Sequence, residues 1–151
     1  MRASTIGYQD TTVDAFHATL RQAGVEILVD VRAVAASRRP GFSKRILANG
    51  VASLAIDYVH FRPLGTPASG RQAARAGRTA EMRAIYEDHL KTPEADFAFT
   101  QLLELARSGR HICLLCFERD HKACHRAVLA ERLERRLGAR FTHLDPLLCQ
   151  P

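Results

Sequence analysis

Hydrophobic residues recur along this chain in two patterns, short continuous apolar runs and longer stripes at helical spacing. The runs at 27–31 and 112–116 are mainly aliphatic, which is typical of strands that are buried on both faces. Stripes with a spacing of three or four residues predict helices between such runs. The pattern predicts strands at 3–7, 27–31, 56–61, 112–116 and 141–144. It predicts one helix that begins at Thr11 and four more at 42–55, 79–90, 94–107 and 121–137.

The alternation of strands and helices predicts the fold class. It favours an α/β protein with a Rossmann-like open, mostly parallel sheet, right-handed crossovers and helices on both faces. The length of 151 residues fits one domain, 1–151. The segment 62–78, which carries two prolines and three glycines, is predicted to be a long functional loop. Within the helix at 94–107, Phe97 is placed on the buried side.

The composition indicates an ordinary globular protein, with 46% hydrophobic and 25% charged residues. No apolar run approaches the ~20 residues that a membrane span needs, and the N-terminal segment has no signal-peptide core. A cytoplasmic location without membrane association is therefore expected, and with it reduced thiols instead of a disulfide framework. The spacing of Cys113 and Cys116 resembles a redox or zinc motif, but residues three apart on a strand point to opposite faces. The four cysteines are Cys113, Cys116, Cys124 and Cys149.

Positive charge is concentrated in one stretch of the chain. Residues 32–83 hold ten of the 22 basic residues and only two of the 16 acids, so this stretch has a net charge of +8. The excess predicts a positive face for an anionic partner, such as nucleic acid or a nucleotide. A preference for arginine codons also explains why 19 of the basic residues are arginine, but it does not explain the shortage of acids.

Polar residues follow the first two predicted strands. In an open parallel sheet, ligands bind beyond the carboxyl ends of the strands, so Tyr8, Arg32, Arg38 and Arg39 are predicted to bind the ligand. The arginines of the loop at 62–78 are expected to hold phosphate with them. Asp30 and Arg32 share one face of their strand, which fits either a structural ion pair or a substrate-facing pair with a bidentate guanidinium.

A second polar block follows the fourth predicted strand. Asp120 is well placed to cap the next helix, where its side chain would satisfy free backbone N–H groups. Glu118 and Arg119 have no such structural role and are expected to be site residues, because a charge buried there would need a partner. Arg126 is expected either to bind an anion at the start of the helix or to pair with Glu118.

Cys116 ends a predicted parallel strand, as the nucleophile does in rhodaneses and cysteine phosphatases. The phosphatase pattern needs an arginine six residues after the cysteine, and Lys122 stands there. Glu118 and Asp120 also disfavour a thiolate, since like charges repel. Cys116 is therefore expected to be a weak nucleophile, which leaves sulfur transfer as a minor alternative.

His125 is a candidate acid or base near neutral pH, or else a capping residue. Cys124 lies on the apolar side of the predicted helix, where packing explains it. As consecutive helical residues the two side chains would point about 100° apart, so a shared metal is not expected. The chain has no Gly-x-Gly-x-x-Gly or Walker loop, and no cofactor is predicted.

Seven blocks together carry a resemblance to a known family. In this order and over nearly the whole chain, they resemble the domain of unknown function 488 family, which implies a Rossmann-like fold and no established activity. One departure is Tyr8-Gln9, where many relatives carry His-Ser. The blocks are Thr5-Ile-Gly7, Leu28-Val-Asp-Val-Arg32, Ser37-Arg-Arg, Phe42-Ser, Tyr58-Val-His60, Leu64-Gly-Thr-Pro67 and, at 116–126, Cys-x-Glu-Arg-Asp-x-x-x-Cys-His-Arg.

Three functions follow from these residues. The preferred hypothesis is an enzyme or binding protein that acts on a phosphate-bearing ligand, nucleic acid or a nucleotide, at the carboxyl ends of the strands. Glu118 or Asp120, together with His125, would then carry any acid–base step. The rival is a non-catalytic nucleic-acid-binding module, and the third hypothesis is a rhodanese-like sulfur-transfer enzyme that uses Cys116.

Overall fold

A sheet of five parallel strands forms the centre of the protein, in the order β3-β2-β4-β1-β5. The structure is a computed structural model that describes residues 2–146. The continuous apolar runs form β2 and β4, two of the three inner strands, because only a strand covered on both faces can bury every side chain. The strands are β1 (Ala3–Gly7), β2 (Ile27–Asp30), β3 (Asp57–His60), β4 (Ile112–Cys116) and β5 (Thr142–Leu144).

Six α-helices connect the strands within the described residues. The first is capped by Thr12, whose Oγ1 accepts from the backbone N–H of Ala15 at 3.1 Å. None of the helices in residues 2–146 is long and apolar enough to cross a membrane. The helices are α1 (Val13–Gln22), α2 (Lys44–Ala52), α3 (Ala68–Arg75), α4 (Thr79–His89), α5 (Pro93–Arg107) and α6 (His125–Leu137), with 3-10 turns at Arg62–Leu64 and His121–Ala123.

Successive strand residues face two separate hydrophobic cores. Leu28 of β2 packs in one core with Phe16 of α1 and Leu47 of α2. Val29, its neighbour, packs in the other core, which contains buried residues of α3, α4, α5 and α6. Since side chains alternate across a strand, this division places helices on both faces of the sheet. The predicted Rossmann-like architecture is confirmed.

The prediction of a long loop at 62–78 was wrong, because the segment contains a 3-10 turn and helix α3. Glycine is unfavourable in a helix interior, but Gly70 is buried inside α3. A Cβ there would collide with Thr66, so the glycine permits close packing. Ala73 faces the core from the same helix.

The prediction that Phe97 lies on the buried side of α5 was also wrong. Phe97 is 66% exposed, whereas Ala95, Ala98 and Leu102 are buried. These three residues are three or four positions apart and form a stripe of small and aliphatic side chains. Small residues let the helix approach the core closely, and the bulkier phenylalanine points away.

Candidate functional site

A cleft of about 720 Å³ lies over the carboxyl ends of β1, β2 and β4. The three strands are distant in sequence, but parallel pairing brings their carboxyl ends to one edge of the sheet. The convergence that the sequence predicted is therefore present. The cleft is lined by six of the predicted site residues, which are Tyr8, Arg32, Cys116, Glu118, Asp120 and His125.

Two glycines let the backbone segments around the cleft approach each other. A Cβ on Gly7, at the end of β1, would collide with the carbonyl oxygen of Glu118. A Cβ on Gly65, which follows the 3-10 turn at Arg62–Leu64, would collide with the backbone of Ala33, three residues beyond β2. A glycine at a strand end often marks such a close approach, so the sequence carried this signal at Gly7.

Arg32 and Asp30 form a buried bidentate ion pair. Nε and Nη2 of the guanidinium donate to the two carboxylate oxygens at 2.9 Å and 2.7 Å. Nη1 donates to the carbonyl oxygen of Phe42 at 2.7 Å and to the hydroxyl of Tyr8 at 3.3 Å. Burial lowers the pKa of Arg32, but the hydrogen bond and charge of Asp30 more than offset this, so the pKa is raised.

The geometry of this pair matches the structural alternative that the sequence left open. Asp30 also accepts from the backbone N–H of Arg32 and from the hydroxyl of Tyr58. The carboxylate is fully buried and does not line the cleft. Arg32 reaches the cleft wall, but most of its N–H groups are already engaged.

Arg126 is a second buried arginine, and its surroundings differ. Its guanidinium donates to Thr5 Oγ1 at 3.1 Å, to the carbonyl oxygen of Arg119 at 3.1 Å, and to the carbonyl oxygen of Glu118. Nη1 also lies 2.9 Å from the sulfur of Cys116. Within residues 2–146 no carboxylate forms an ion pair with it.

Of the two alternatives for Arg126, an ion pair with Glu118 is not formed, because the contact is to the main-chain carbonyl of Glu118. The guanidinium is fully buried beneath the cleft and does not line it. Burial lowers the pKa of Arg126 to about 10, which neighbouring charges offset only in part. A buried cation without an ion-paired carboxylate is energetically unfavourable, and a free thiol at Cys116 would place a negative charge beside it when deprotonated.

Cys116 and Cys124 are joined by a disulfide bond, contrary to the expected reduced thiols. Cys124 is not helical as predicted, because its backbone is extended at φ −129° and ψ 147° and α6 begins after it. This turn brings its side chain back to the end of β4. Cys113 is a buried free thiol whose pKa is raised by burial, and Cys149 lies outside the described residues.

His125 is held by a single strong contact to the backbone. Its Nε2 lies 2.7 Å from the carbonyl oxygen of Val31. A carbonyl only accepts, so Nε2 carries the proton and the lone pair of Nδ1 faces the sulfur of Cys124, 3.7 Å away. Burial lowers the pKa of His125 to about 4, so the ring is neutral near pH 7.

The expectation that Cys124 and His125 point apart was wrong for the same reason as the helix boundary. Because Cys124 precedes the helix, the 100° helical rotation does not apply to the pair. The sulfurs of Cys116 and Cys124 and a ring nitrogen of His125 all lie within 4.8 Å of one another. Three groups of the kind that bind transition metals are thus in one place.

Glu118 is the acidic residue of the cleft with the least structural engagement. Its Oε2 lies 3.5 Å from the sulfur of Cys116, and burial raises the pKa of its carboxyl group. Asp120 instead caps the 3-10 turn at His121–Ala123, accepting from the backbone N–H of Lys122 at 3.0 Å. The predicted capping role of Asp120 is confirmed, although here it serves a 3-10 turn.

Besides Arg126, three more of the arginines predicted to bind the ligand do not line the cleft. Arg38 is exposed outside it, and Arg39 donates to the carbonyl oxygen of Thr11. Arg119 forms an exposed ion pair with Asp145, at 2.9 Å, in a neighbouring depression.

Apart from Arg32, the arginines that line the cleft belong to helix α3. Arg71 and Arg75 line it, four residues apart and therefore on one face of the helix. Arg71 donates to the carbonyl oxygen of Thr66 at 2.8 Å. Arg71 and Arg75 are both among the arginines at 62–78 that were expected to hold phosphate, but the assignment of a loop gave no indication that their i, i+4 spacing places them on one face of a helix.

Aromatic side chains form another part of the lining. Tyr8 stacks on Phe42 with ring centroids 4.6 Å apart, and Phe117 meets Tyr8 edge-on at 5.3 Å. Phe117 is 43% exposed and Val34 is 56% exposed, although both are large apolar residues. Sequence reasoning did not select either residue, since an isolated apolar residue near a strand end gives no distinct signal.

An open parallel α/β sheet with a polar cleft at its carboxyl edge defines a Rossmann-like protein. The chain belongs to the family described as domain of unknown function DUF488, whose family model matches residues 12–133. The match includes the block at 116–126 that builds the cleft floor. Comparisons with curated proteins and with solved structures gave no match.

Proposed function

We propose that this protein binds a phosphate-bearing small molecule of nucleotide size in the cleft. The observation that carries the proposal is the combination of unpaired arginines and exposed aromatic surface in one cavity. Arg71 and Arg75 supply the cations, and Phe117 supplies the apolar surface. A nucleotide has both complementary parts, a phosphate and a flat base.

The two arginines suit phosphate recognition. Neither has a carboxylate partner within residues 2–146, so both retain donors for a ligand. Guanidinium groups form charge-assisted, often bidentate hydrogen bonds to phosphate oxygens. Arg32 also lines the wall, but its charge is balanced by Asp30 and its N–H groups stay with Asp30, Tyr8 and Phe42.

The aromatic lining suits a base. Phe117 presents exposed ring surface in the cleft, and Tyr8 supports it from the side. Stacking of a base on an aromatic ring contributes about 1–3 kcal/mol and tolerates any base. The cleft volume of about 720 Å³ lies inside the range of roughly 300–1,000 Å³ that is usual for small-molecule sites. This size favours a mononucleotide over a polymer.

Any acid–base chemistry is assigned to Glu118. Its carboxyl group faces the cleft with a raised pKa, which is suitable for a general acid or base. Asp120 is engaged as a cap, and His125 donates to Val31. A cytoplasmic location, which we also propose, is consistent with such a ligand.

Binding of nucleoside mono-, di- and triphosphates, measured by calorimetry, tests the proposal. Wild-type protein should bind at least one of them, and Arg71→Ala and Arg75→Ala should each weaken binding about 10- to 100-fold. This range corresponds to about 1.5–3 kcal/mol for a charge-assisted hydrogen bond. Arg45→Ala, an exposed arginine of α2 outside the cleft, is the matched control. Equal losses in all three variants would overturn the proposal.

A nucleic-acid-binding module is the second candidate. Its support is the set of exposed basic residues outside the cleft, Arg38, Lys44, Arg45 and Arg62. Oligonucleotide binding through these side chains should weaken steeply with salt, because each neutralised phosphate releases counterions. If Arg45→Ala lowers oligonucleotide affinity more than Arg75→Ala does, the polymer is the better ligand.

Sulfur transfer through Cys116 is the third candidate. In its favour, the sulfur lines the cleft and Arg126 lies beside it. The disulfide to Cys124 would first have to be reduced before Cys116 could attack a donor. Release of thiocyanate from thiosulfate and cyanide by the reduced protein, lost in Cys116→Ser, is the corresponding assay.

A further inference from the structure

We propose that Cys116, Cys124 and His125 form a zinc site when the disulfide between the two cysteines is reduced. The three donor atoms already lie within 4.8 Å of one another. Two thiolates and one imidazole are ligands that suit Zn²⁺ and do not suit Mg²⁺ or Ca²⁺. The inference stands apart from the proposed nucleotide site, since it uses none of the α3 arginines.

The distances agree with tetrahedral coordination. With a Zn–S bond of about 2.3 Å and a Zn–N bond of about 2.0–2.1 Å, sulfur and nitrogen on one ion are about 3.5 Å apart. The sulfur of Cys124 and Nδ1 of His125 are 3.7 Å apart. The two sulfurs would have to separate to about 3.8 Å, and the Cα atoms of the cysteines, 7.4 Å apart, leave room for this.

The ring of His125 is already oriented as a metal ligand. Metal-binding histidines usually donate their second ring N–H to a carbonyl or carboxylate, which fixes the tautomer and the ring plane. Here Nε2 donates to the carbonyl oxygen of Val31 at 2.7 Å. Nδ1 is therefore left as an unprotonated donor on the side of the two cysteines.

The surroundings also suit thiolates. Nη1 of Arg126 lies 2.9 Å from the sulfur of Cys116, and the backbone N–H of Arg126 points at the sulfur of Cys124 at 3.5 Å. Once the disulfide is reduced, these donors stabilise negative charge on both sulfurs. The buried guanidinium thus gains the anionic neighbour that no carboxylate provides within residues 2–146.

The site would be of the open kind that catalytic zinc ions occupy. Three protein ligands leave a fourth position, as in Cys₂His sites. Cys116 and His125 both line the cleft, and the carboxyl group of Glu118 is close by. A water molecule or a ligand oxygen in the cleft could fill that position.

Reduction of the disulfide and binding of the metal ion each balance in electrons and protons. A thiol reductant supplies two electrons and two protons to the Cys116–Cys124 bond and is itself oxidised to a disulfide. The two thiols then release two protons as they bind the ion as thiolates. The oxidised protein cannot bind zinc in this way, so the disulfide and the metal exclude each other.

Elemental analysis of the dialysed protein tests the proposal. Protein reduced with a phosphine, which competes little for zinc, should retain about one zinc ion per chain, and the oxidised protein should retain none. Cys116→Ser, Cys124→Ser and His125→Ala should lose the ion, and Cys113→Ala should keep it because that thiol points away in the core. Arg71→Ala should also keep it, which separates this test from that of the nucleotide site.

Cobalt spectroscopy of the wild-type protein keeps the test independent of variant folding. Co²⁺ added to the reduced protein should give a thiolate-to-cobalt charge-transfer band and the intense visible bands of tetrahedral coordination, and Zn²⁺ should abolish both. Absence of these bands together with no retained zinc would overturn the proposal. Equal zinc binding by oxidised and reduced protein would do the same, since the ligands could not then be the two thiolates.

Discussion

The two buried arginines of this protein lie near the same cleft but are balanced in different ways. Arg32 has the carboxylate of Asp30 in bidentate contact, and the pair is enclosed by Tyr58 and Phe42. Arg126 has a hydroxyl, two carbonyls and a sulfur as its partners. Asp30 neutralises the charge of Arg32, whereas no carboxylate within residues 2–146 forms an ion pair with Arg126.

This difference separates residues that hold the fold together from residues that are candidates for a chemical role. An internally neutralised ion pair fixes geometry, since removing either partner leaves a buried charge alone. A buried cation aimed at a cysteine sulfur stabilises a thiolate or an anion that arrives later. The end of β2 is therefore the rigid side of the cleft, and the end of β4 is the side where chemistry is expected.

The largest effect is expected from breaking the Arg32–Asp30 pair. Asp30→Asn replaces a carboxylate oxygen by an N–H₂ group that faces the guanidinium, so unfolding free energy should fall by about 3–5 kcal/mol. Urea denaturation measures it. Asp57→Asn, which breaks an exposed pair with Arg110, is the control and should cost no more than about 1 kcal/mol. Similar small losses in both variants would show that Arg32 is not part of the scaffold.

A smaller loss of stability but a larger chemical change is expected from Arg126→Met. The variant removes an unpaired buried charge but leaves two carbonyls without donors, so the net loss should be about 1–3 kcal/mol. In reduced protein, alkylation of Cys116 by iodoacetamide at pH 7 should slow about tenfold, because the thiolate loses its neighbouring cation. Mass spectrometry of the Cys116 peptide measures the rate.

The same alkylation experiment shows whether Arg126 or the acidic neighbours of Cys116 have the larger effect on the reactivity of its thiol. Glu118 and Asp120 disfavour a thiolate, as the sequence predicted, while Arg126 favours it. Arg126→Lys, which keeps the charge, should restore part of the alkylation rate. Unchanged rates in the methionine variant would mean that the acidic neighbours dominate and that Cys116 is a weak nucleophile.

A smaller effect is expected on the pH dependence of stability, from His143, which is linked to Arg126 through Thr5. Arg126 donates to Thr5, whose hydroxyl contacts Nδ1 of His143 at 2.7 Å. Burial, followed by the charges of His121 and Arg126, lowers the pKa of His143 to about 4. The unfolded chain, with a histidine pKa of about 6.5, then binds more protons than the folded chain between these values.

Stability should therefore fall as the pH drops from about 6.5 to about 4, and His143→Gln should remove part of this slope. The stacked rings of His121 and His143, with centroids 3.6 Å apart, add to the effect because two imidazolium ions would repel. Denaturation midpoints at several pH values test it. An identical slope in the variant would show that other histidines account for the acid sensitivity.

The smallest effect is expected from Arg119→Ala. This arginine was predicted to bind the ligand, but its side chain forms an exposed ion pair with Asp145 outside the cleft. Exposed pairs contribute little to stability, so stability and nucleotide affinity should both stay near the wild-type values. A clear loss of affinity, measured by calorimetry, would extend the site beyond the cleft described here.

Local patterns in the sequence determined the architecture and the approximate place of the site. The bounds predicted for β4, 112–116, agree with the structure because a strand buried on both faces is typically a continuous apolar run. The bounds predicted for β1, 3–7, also agree, although this strand buries the polar residues Ser4 and Thr5. The rule that ligands bind at strand carboxyl ends then located the cleft. Both inferences use only residues adjacent in the chain and the general behaviour of parallel sheets.

The tertiary structure alone decided which of the predicted arginines belong to the cleft and which cysteines meet. Arg71 and Arg75 line it from α3, which follows Gly65, and the missing Cβ of Gly65 lets the chain pass close to Ala33 of the cleft wall. Cys124 meets Cys116 because one residue before α6 is extended. Such contacts depend on backbone turns and on partners far away in sequence, which no local periodicity encodes.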